Sequence, residues 1–159
     1  MPSAELWWPR GHGGQHMYSV EVRYFDDDSN SKFSDTKGES YQSILRNVGV
    51  RSVELMQDAY EPVKASTSTS DPSPASFYFR INGEPIFFRG ANLIPFDSIP
   101  DRVSQTDRTY ILEAAAEANF NSVRIWGGGM YQPDDLYDTA DKLGLLVWQE
   151  IMLSVSFVY

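Results

Sequence analysis

Short stretches of alternating apolar and polar residues mark the first third of the chain. Residues 17–25 (MYSVEVRYF) alternate with a period of two, which predicts a half-buried strand, and the turn-forming run 26–30 (DDDSN) follows. A second strand is predicted over 49–56 (GVRSVELM), with one break in phase that indicates a bulge. Because a β-sandwich takes about seven strands in roughly 100 residues, these few strands predict the tail of a β-domain whose earlier strands are missing.

The pattern then stops and resumes in a different form. Residues 64–75 (KASTSTSDPSPA) contain no large apolar side chain, which is typical of a linker or a long exposed loop. Two apolar runs, 77–81 and 85–90, lie on either side of Asn82-Gly83. Since both central positions of a type I′ turn take positive φ, Asn-Gly between apolar runs predicts a β-hairpin.

Two helix signatures fill most of the remaining chain. The first spans 107–118, with Ser104 or Thr106 as its N-cap, and its predicted apolar stripe consists of Ile111, Ala114, Ala115 and Ala118. The second begins at Pro133 and ends at Gly144, which is suited to a left-handed C-cap. Its predicted stripe consists of Leu136, Tyr137, Ala140 and Leu143.

An apolar strand follows each helix signature, at 121–126 and at 145–148. The second of these strands does not alternate, as expected of a strand that is covered on both faces. Strands and helices that alternate at this spacing predict parallel neighbours joined by right-handed crossovers. The pattern fits either the start of a barrel or a doubly wound sheet.

Composition and charge restrict the possible partners. With 42% hydrophobic and 14% aromatic residues, the chain can bury a sizeable core. Its formal net charge of -9 repels polyanions, so nucleic acid is not an expected partner, and the lack of a long apolar run argues against a membrane partner. The chain has no cysteine, and His12 and His16 lie in a glycine-rich loop without a nearby carboxylate, so neither a metal site nor a cofactor is predicted.

Candidate binding residues cluster at the predicted carboxyl ends of the parallel strands, where α/β proteins bind ligands. Trp126, which precedes three glycines, offers a flat face for stacking on a sugar, and Arg124 points the same way and can hold a carboxylate. The alternative is a tight turn with a core tryptophan and a structural arginine. Asn92 can hydrogen-bond a sugar hydroxyl, and Glu150 is either a buried acceptor or an ion-pair partner for Arg124.

These segments, taken in order, resemble glycoside hydrolase family two, and within it the β-mannosidases. The segments similar to the end of the family's immunoglobulin-like sandwich and to the start of its barrel are 6–18, 49–55, 77–83, 88–92 and 121–129. Trp-Gly-Gly-Gly at 126–129 is the β-mannosidase form, whereas β-galactosidases and β-glucuronidases tend to carry a Ser-His-Tyr-Pro-like run there. Leu93 and Glu150 depart from the family, which often has Trp and usually has Asp at these positions.

The resemblance implies a multi-domain α+β fragment. Its expected parts are the C-terminal part of an immunoglobulin-like β-sandwich (1–63), a linker (64–75) and the N-terminal part of a (β/α)₈ TIM barrel (76–159). Such an enzyme is a retaining hydrolase of terminal non-reducing β-D-mannose residues, so the expected partner is a β-mannoside oligosaccharide or a glycoprotein-derived glycan. In a eukaryote, the family's compartment is lysosomal or secreted.

The resemblance also assigns roles to residues. Trp126 matches a tryptophan of the mannose subsite, and the other expected substrate-binding residues are Asn92, Arg124 and Glu150. The acid/base and nucleophilic glutamates are expected beyond Tyr159, so this chain alone is expected to be inactive. Two alternatives remain, namely a non-catalytic carbohydrate-binding or interaction protein, and another family-two glycosidase such as a β-galactosidase.

Overall fold

The first sheet is antiparallel and lies in the N-terminal part of the chain. The computed structural model of the protein describes residues 3–25, 33–34, 40–59 and 75–153. The order of strands in this sheet is β1 (Tyr18–Phe25), β3 (Ser40–Val48) and β2 (Phe33–Ser34). The strand predicted at 17–25 is therefore confirmed, whereas β3 was not predicted. The predicted turn at 26–30 lies outside the described residues.

A second antiparallel sheet joins the region before residue 60 to the hairpin. Its strands, in order, are β4 (Val53–Met56), β5 (Tyr78–Ile81) and β6 (Glu84–Ile86). The strand predicted at 49–56 is shorter in the structure, where it begins at Val53 and residues 49–52 are not part of it. The hairpin prediction is confirmed, since Asn82 and Gly83 connect β5 to β6 with φ values of 53° and 84°. Most of the predicted linker lies outside the described residues.

The third sheet is the parallel unit that the alternation of strands and helices predicts. The elements in chain order are β7 (Gly90–Leu93), a 3₁₀ turn (Pro100–Arg102), α1 (Gln105–Glu117), β8 (Ser122–Ile125), α2 (Asp134–Leu143) and β9 (Leu146–Gln149). All pairing is parallel, in the order β7, β8, β9. The apolar run 85–90 was predicted as one strand, but the hairpin ends at Ile86 and the parallel sheet begins at Gly90. Between them the chain is held by Asn121, whose side chain binds the Arg89 amide and the Phe87 carbonyl.

The two helices begin and end close to the predicted residues. Ser104 is the N-cap of α1, and its hydroxyl accepts from the Asp107 amide at 3.2 Å while the Asp107 carboxylate accepts from the Ser104 amide at 2.9 Å. Pro133 is the N-cap of α2 rather than its first helical residue, and Gly144 ends the helix in the left-handed conformation with φ 75°. The predicted stripe of α2 is confirmed, with Leu136 and Ala140 buried and Tyr137 and Leu143 packed beside them.

The stripe predicted for α1 is partly wrong. Leu112 and Ala116 are the buried residues of this helix, with Ile111 and Ala115 half-buried, whereas Ala114 and Ala118 are exposed. The buried face is therefore rotated by about one residue. Three consecutive alanines at 114–116 give no periodicity from which the phase can be read.

Two hydrophobic clusters hold these parts together. The larger lies between the parallel sheet and both helices, and consists of Leu93, Leu112, Val123, Ile125, Leu136, Ala140 and Leu145. The smaller consists of Trp7, Ile81, Ile86 and Leu146. Trp7 is fully buried and its indole N–H donates to the Asp141 carbonyl at 2.8 Å, so the N-terminal segment is fixed against α2. None of the helices in the described part of the chain is long and apolar enough to cross a membrane.

Candidate functional site

A row of three side chains crosses the parallel sheet on the face opposite the helices. Asn92 pairs in register with Arg124, and Arg124 pairs with Trp148. Successive residues of a strand point to opposite faces, and Val123 and Ile125 belong to the core beneath the helices. Asn92, Arg124 and Trp148 therefore point away from the helices, and this face carries the polar groups that the sequence singled out.

Arg124 is the centre of this row and contacts two of the predicted site residues. Its Nε donates to Glu150 Oε1 at 2.8 Å, its Nη2 forms a short contact with the same oxygen, and its Nη1 donates to Asn92 Oδ1 at 2.8 Å. The side chains of Arg124 and Glu150 remain 39% and 25% exposed, so the ion pair borders solvent. The structure thus confirms the predicted Arg124–Glu150 pair and adds Asn92 to it.

The Glu150 carboxylate is also bound to the glycine loop. Its Oε2 accepts a hydrogen bond from the Gly127 amide at 2.7 Å, and Gly127 itself is buried. This backbone hydrogen bond, followed by the bonds from Arg124, holds the pKa of Glu150 below its ordinary value, because each of them favours the charged carboxylate. Glu150 is therefore a fixed anion between a cationic side chain and a turn.

Trp126 lies at the end of β8, where the chain turns away from the sheet. Its amide donates to the Leu93 carbonyl at 3.3 Å, and its carbonyl accepts from the Gly129 amide at 3.0 Å, so residues 126–129 form a tight turn attached to β7. Trp126 is 37% exposed, and its indole ring lies against Gly128. A Cβ atom at position 128 would be 2.2 Å from Trp126 Cζ2, which shows how closely the ring covers this glycine.

The structure brings the four predicted residues together at the carboxyl ends of the parallel strands, which we call the rim, and they form two groups there. Asn92, Arg124 and Glu150 are linked directly by hydrogen bonds, whereas Trp126 is connected to them through the backbone of Gly127. This position agrees with the predicted tight turn, yet the exposed indole differs from the buried core tryptophan of the alternative interpretation.

Sequence reasoning missed two features of the rim. The Gly127 amide is a backbone group and does not appear in the pattern of side chains, so its hydrogen bond to Glu150 could not be predicted. A hollow of about 240 Å³ also separates the loops that follow β7 and β8, lined among others by Phe96, Arg108, Met130 and Gln132. Arg108 is held there in a bidentate pair with Asp135, with Nε donating to Oδ1 and Nη2 to Oδ2, so its charge is already neutralised.

One of the two histidines, His16, has different surroundings from those expected. His16 Nδ1 lies 3.0 Å from Glu5 Oε2, although no carboxylate was expected near it. The side chains of both His16 and Glu5 are well exposed to solvent. Within the described ranges, no group of three or more His, Cys, Asp or Glu residues is arranged to hold a metal ion.

Comparison with known proteins relates the chain to one class of enzyme. No family model matches the chain. It is 39% identical over 152 residues to a β-mannosidase of Bos taurus and 35% identical over 155 residues to a probable β-mannosidase of Caenorhabditis elegans. Each alignment covers 96% of this chain but 15% of the relative, so the chain spans about a seventh of their length.

Solved structures give the same relation. The β-D-mannosidase of Dictyoglomus thermophilum superposes with a TM-score of 0.72 at 36% identity, over 92% of this chain and 16% of that enzyme. An exo-chitosanase of Amycolatopsis orientalis superposes with a TM-score of 0.63 at 27% identity, over 89% of this chain and 13% of that enzyme. The sheets and helices described above are therefore similar to part of a larger glycosidase.

Proposed function

This chain is a homologue of one segment of the β-mannosidases, and we propose that it is part of a retaining glycoside hydrolase that removes terminal β-D-mannose from the non-reducing ends of glycans. The proposed substrate is a β-mannoside oligosaccharide or a glycoprotein-derived glycan. The observation that carries this proposal is the identity to β-mannosidases along nearly the whole chain, together with a polar cluster and an exposed tryptophan at one rim of a parallel sheet.

The two helices lie on one face of the parallel sheet, as the start of a barrel requires. Both α1 and α2 contribute to the same core cluster, and Arg108 of α1 forms an ion pair with Asp135 of α2 at 2.7 Å. Both helices on one face are expected at the start of a (β/α)₈ barrel, and one βαβαβ half of a doubly wound sheet has the same arrangement. The barrel is favoured because the chain is similar over 92% of its length to a β-D-mannosidase, and the glycoside hydrolase family that it resembles has a barrel of this kind. We therefore propose that 76–159 is the start of a TIM barrel, and that 1–63 is the end of an immunoglobulin-like sandwich.

Three residues of the rim have a proposed part in sugar binding. Trp126 stacks its exposed ring on the apolar C–H face of the mannose unit. Arg124 has five N–H donors, of which three are directed at Glu150 and Asn92, so two can reach hydroxyl oxygens of the sugar. Asn92 uses its oxygen for Arg124, which leaves its amide group as a donor to the same sugar.

Glu150 is unsuited to the role of general acid in this arrangement. A general acid needs a raised pKa so that it carries a proton near neutral pH, whereas the pKa of Glu150 is lowered by Gly127 and Arg124. A retaining glycosidase also needs two carboxyl groups about 5 to 5.5 Å apart. We propose that both catalytic glutamates belong to later barrel strands, so that this segment binds the sugar and does not cleave it.

An assay with two aryl glycosides tests this proposal. The 159-residue chain is incubated with p-nitrophenyl β-D-mannoside and p-nitrophenyl β-D-galactoside, and binding of the methyl glycosides is followed by NMR titration. We expect no turnover of either compound, and tighter binding of the mannoside. Hydrolysis by the chain itself would overturn the assignment of the catalytic residues, and equal binding of both sugars would overturn the mannoside assignment.

The coding sequence downstream of Tyr159 provides an independent test. The proposal requires a further strand that ends in an Asn-Glu pair, where the glutamate is the acid/base of the enzyme. A continuation that lacks any such pair would leave a binding module without catalysis.

A further inference from the structure

Glu150 connects the Arg124 guanidinium to the turn 126–129, and no other hydrogen bond joins these two directly among the described residues. Its Oε1 binds the guanidinium of Arg124, and its Oε2 binds the Gly127 amide. The Glu150 amide in turn donates to the Ile125 carbonyl at 3.3 Å, which ties the end of β9 to β8. A single carboxylate therefore binds both the Arg124 guanidinium and an amide of the turn 126–129, in addition to the bonds that each makes to β7.

The Glu150 carboxylate can accept few further hydrogen bonds. An ionised carboxylate has about four lone-pair sites, and three of them accept from Arg124 Nε, Arg124 Nη2 and Gly127. The side chain is three-quarters buried, and the Gly127 amide that it binds is buried. Little of Glu150 is left for a sugar, while Arg124 and Trp126 on either side of it are exposed.

We propose that Glu150 is a positioning residue, which fixes the Arg124 guanidinium and the Trp126 turn in one geometry and touches the sugar through neither oxygen. This inference rests on the sugar site of the proposed function, and it refines the substrate-binding role that the sequence assigned to Glu150. It also defines what the rim recognises. Since the acceptor groups of Asn92 and Glu150 are engaged with Arg124 and Gly127, the rim offers mainly N–H donors, and its ligand must present acceptors, such as the ring hydroxyls of a neutral sugar.

Isotope-edited NMR of the tryptophan indoles and the glycine amides tests the proposal without any ligand. The 159-residue chain is joined to a tryptophan-free carrier domain, and the Trp126 signal is assigned from its loss in Trp126→Phe. Glu150→Gln keeps the shape of the side chain but replaces one acceptor oxygen with a donor and removes the charge. The matched control is Glu113→Gln, the same chemical change on an exposed position of α1.

We expect the Gly127 amide and the Trp126 indole of the unmodified chain to shift together as the pH is lowered, with a midpoint below 4.5, the ordinary value for a glutamate. In Glu150→Gln this shared titration disappears and both signals move, whereas Glu113→Gln leaves them in place. Binding of methyl β-D-mannoside weakens on the order of tenfold in Glu150→Gln, as for the loss of one charge-assisted hydrogen bond.

The outcomes separate this inference from the proposed function. If Glu150→Gln weakens mannoside binding while the Trp126 and Gly127 signals stay in place, Glu150 touches the sugar directly and the positioning role is overturned. If Glu150→Gln changes neither the signals nor the titration, the coupling itself is refuted. If the coupled titration is present but the unmodified chain binds no mannoside, the positioning geometry holds and the proposed function fails.

Discussion

Gly128 provides a direct test of how the Trp126 ring is placed, because the ring lies where a side chain would be. A Cβ atom at position 128 would lie 2.2, 2.3 and 2.7 Å from three ring carbons of Trp126. Non-bonded carbons pack at about 3.5 Å or more, so Gly128→Ala requires the ring to move by more than about 1 Å. The backbone at Gly128 does not have positive φ, so the effect comes from the ring and not from strain at the new alanine.

The displacement has a small expected cost in stability and a larger one in binding. Trp126 is 37% exposed and can turn toward solvent, at about 0.5 to 1.5 kcal/mol for an unfavourable rotamer. The reduced freedom of the unfolded chain on replacing Gly by Ala offsets about 0.4 to 1 kcal/mol of this. Loss of the ring as a stacking surface removes about 0.5 to 1.5 kcal/mol of binding free energy, which is roughly a twofold to tenfold weaker affinity for the sugar.

Gly129→Ala is the matched control for this substitution. A Cβ atom there would lie 3.1 Å from the ring carbons of Pro95 and 3.3 Å from the Trp126 carbonyl, which a shift of a few tenths of an ångström relieves. The assay is the Trp126 indole signal together with titration of methyl β-D-mannoside, and urea unfolding reports stability. We expect Gly128→Ala to shift the indole and weaken binding, and Gly129→Ala to do neither. An unmoved indole in Gly128→Ala, or equal effects of both variants, would refute the placement of the ring.

Three further substitutions test the packing and the electrostatics of the chain. Burial raises the pKa of Asp141, so the folded chain holds this proton up to a higher pH than the unfolded chain. The free energy of unfolding therefore falls as the pH rises from the unfolded pKa, 3.8, to the folded pKa. We expect Asp141→Asn to raise stability at neutral pH and to have no effect below pH 3.8. Arg108→Met leaves Asp135 largely buried without its partner, and we expect a loss of about 3 kcal/mol in urea unfolding. Val22 and Ile44 form an exposed apolar cross-strand pair, and we expect the double substitution Val22→Lys, Ile44→Glu to reduce light scattering by the chain.

Each of these variants has an opposing result, and two of them have a control. For Arg108, the control is Arg102→Met on the exposed 3₁₀ turn, and a loss below about 1 kcal/mol would show that the pair contributes little. Destabilisation by Asp141→Asn at neutral pH would mean that the nearby Arg51 outweighs burial. Ser43→Lys adds a charge to the other face of the first sheet, and an equal reduction of light scattering by that variant would show that the apolar pair is not the cause of the scattering.

Short sequence motifs predicted those elements whose geometry they determine without help from the rest of the chain. Asn82-Gly83 contains all the information for its hairpin, since two residues with positive φ determine the turn. Gly144 and the apolar stripe determine α2 in the same way. The strand β3 was not predicted because Ile44 and Leu45 are adjacent and point to opposite faces, so that neither face shows alternation.

The candidate site was predictable in its side chains but not in its connections. Arg124 and Glu150 could be paired from their places at the ends of neighbouring strands, and the structure confirms this pair. The bonds of Asn92 to Arg124 and of Gly127 to Glu150 depend on the strand register and on a backbone amide. Neither hydrogen bond can be predicted from the spacing of residue types. Only the folded sheet shows that the four candidate site residues are connected.

The uncovered face of the parallel sheet links the proposed architecture to the proposed site. Leu93, Val123 and Ile125 are covered by the helices, whereas Trp148, on the opposite face, is 40% exposed and contacts Phe79 edge-to-face at 5.7 Å. A sheet with one covered face and aromatic groups on the other has to bury them against further structure. Because Arg124 and Trp148 are register partners, a closed barrel would place both side chains in one layer of its interior, near the carboxyl ends of β8 and β9. The proposed sugar site therefore requires this layer to stay open toward the loops, and a fold that buried Arg124 together with Trp148 would exclude that site.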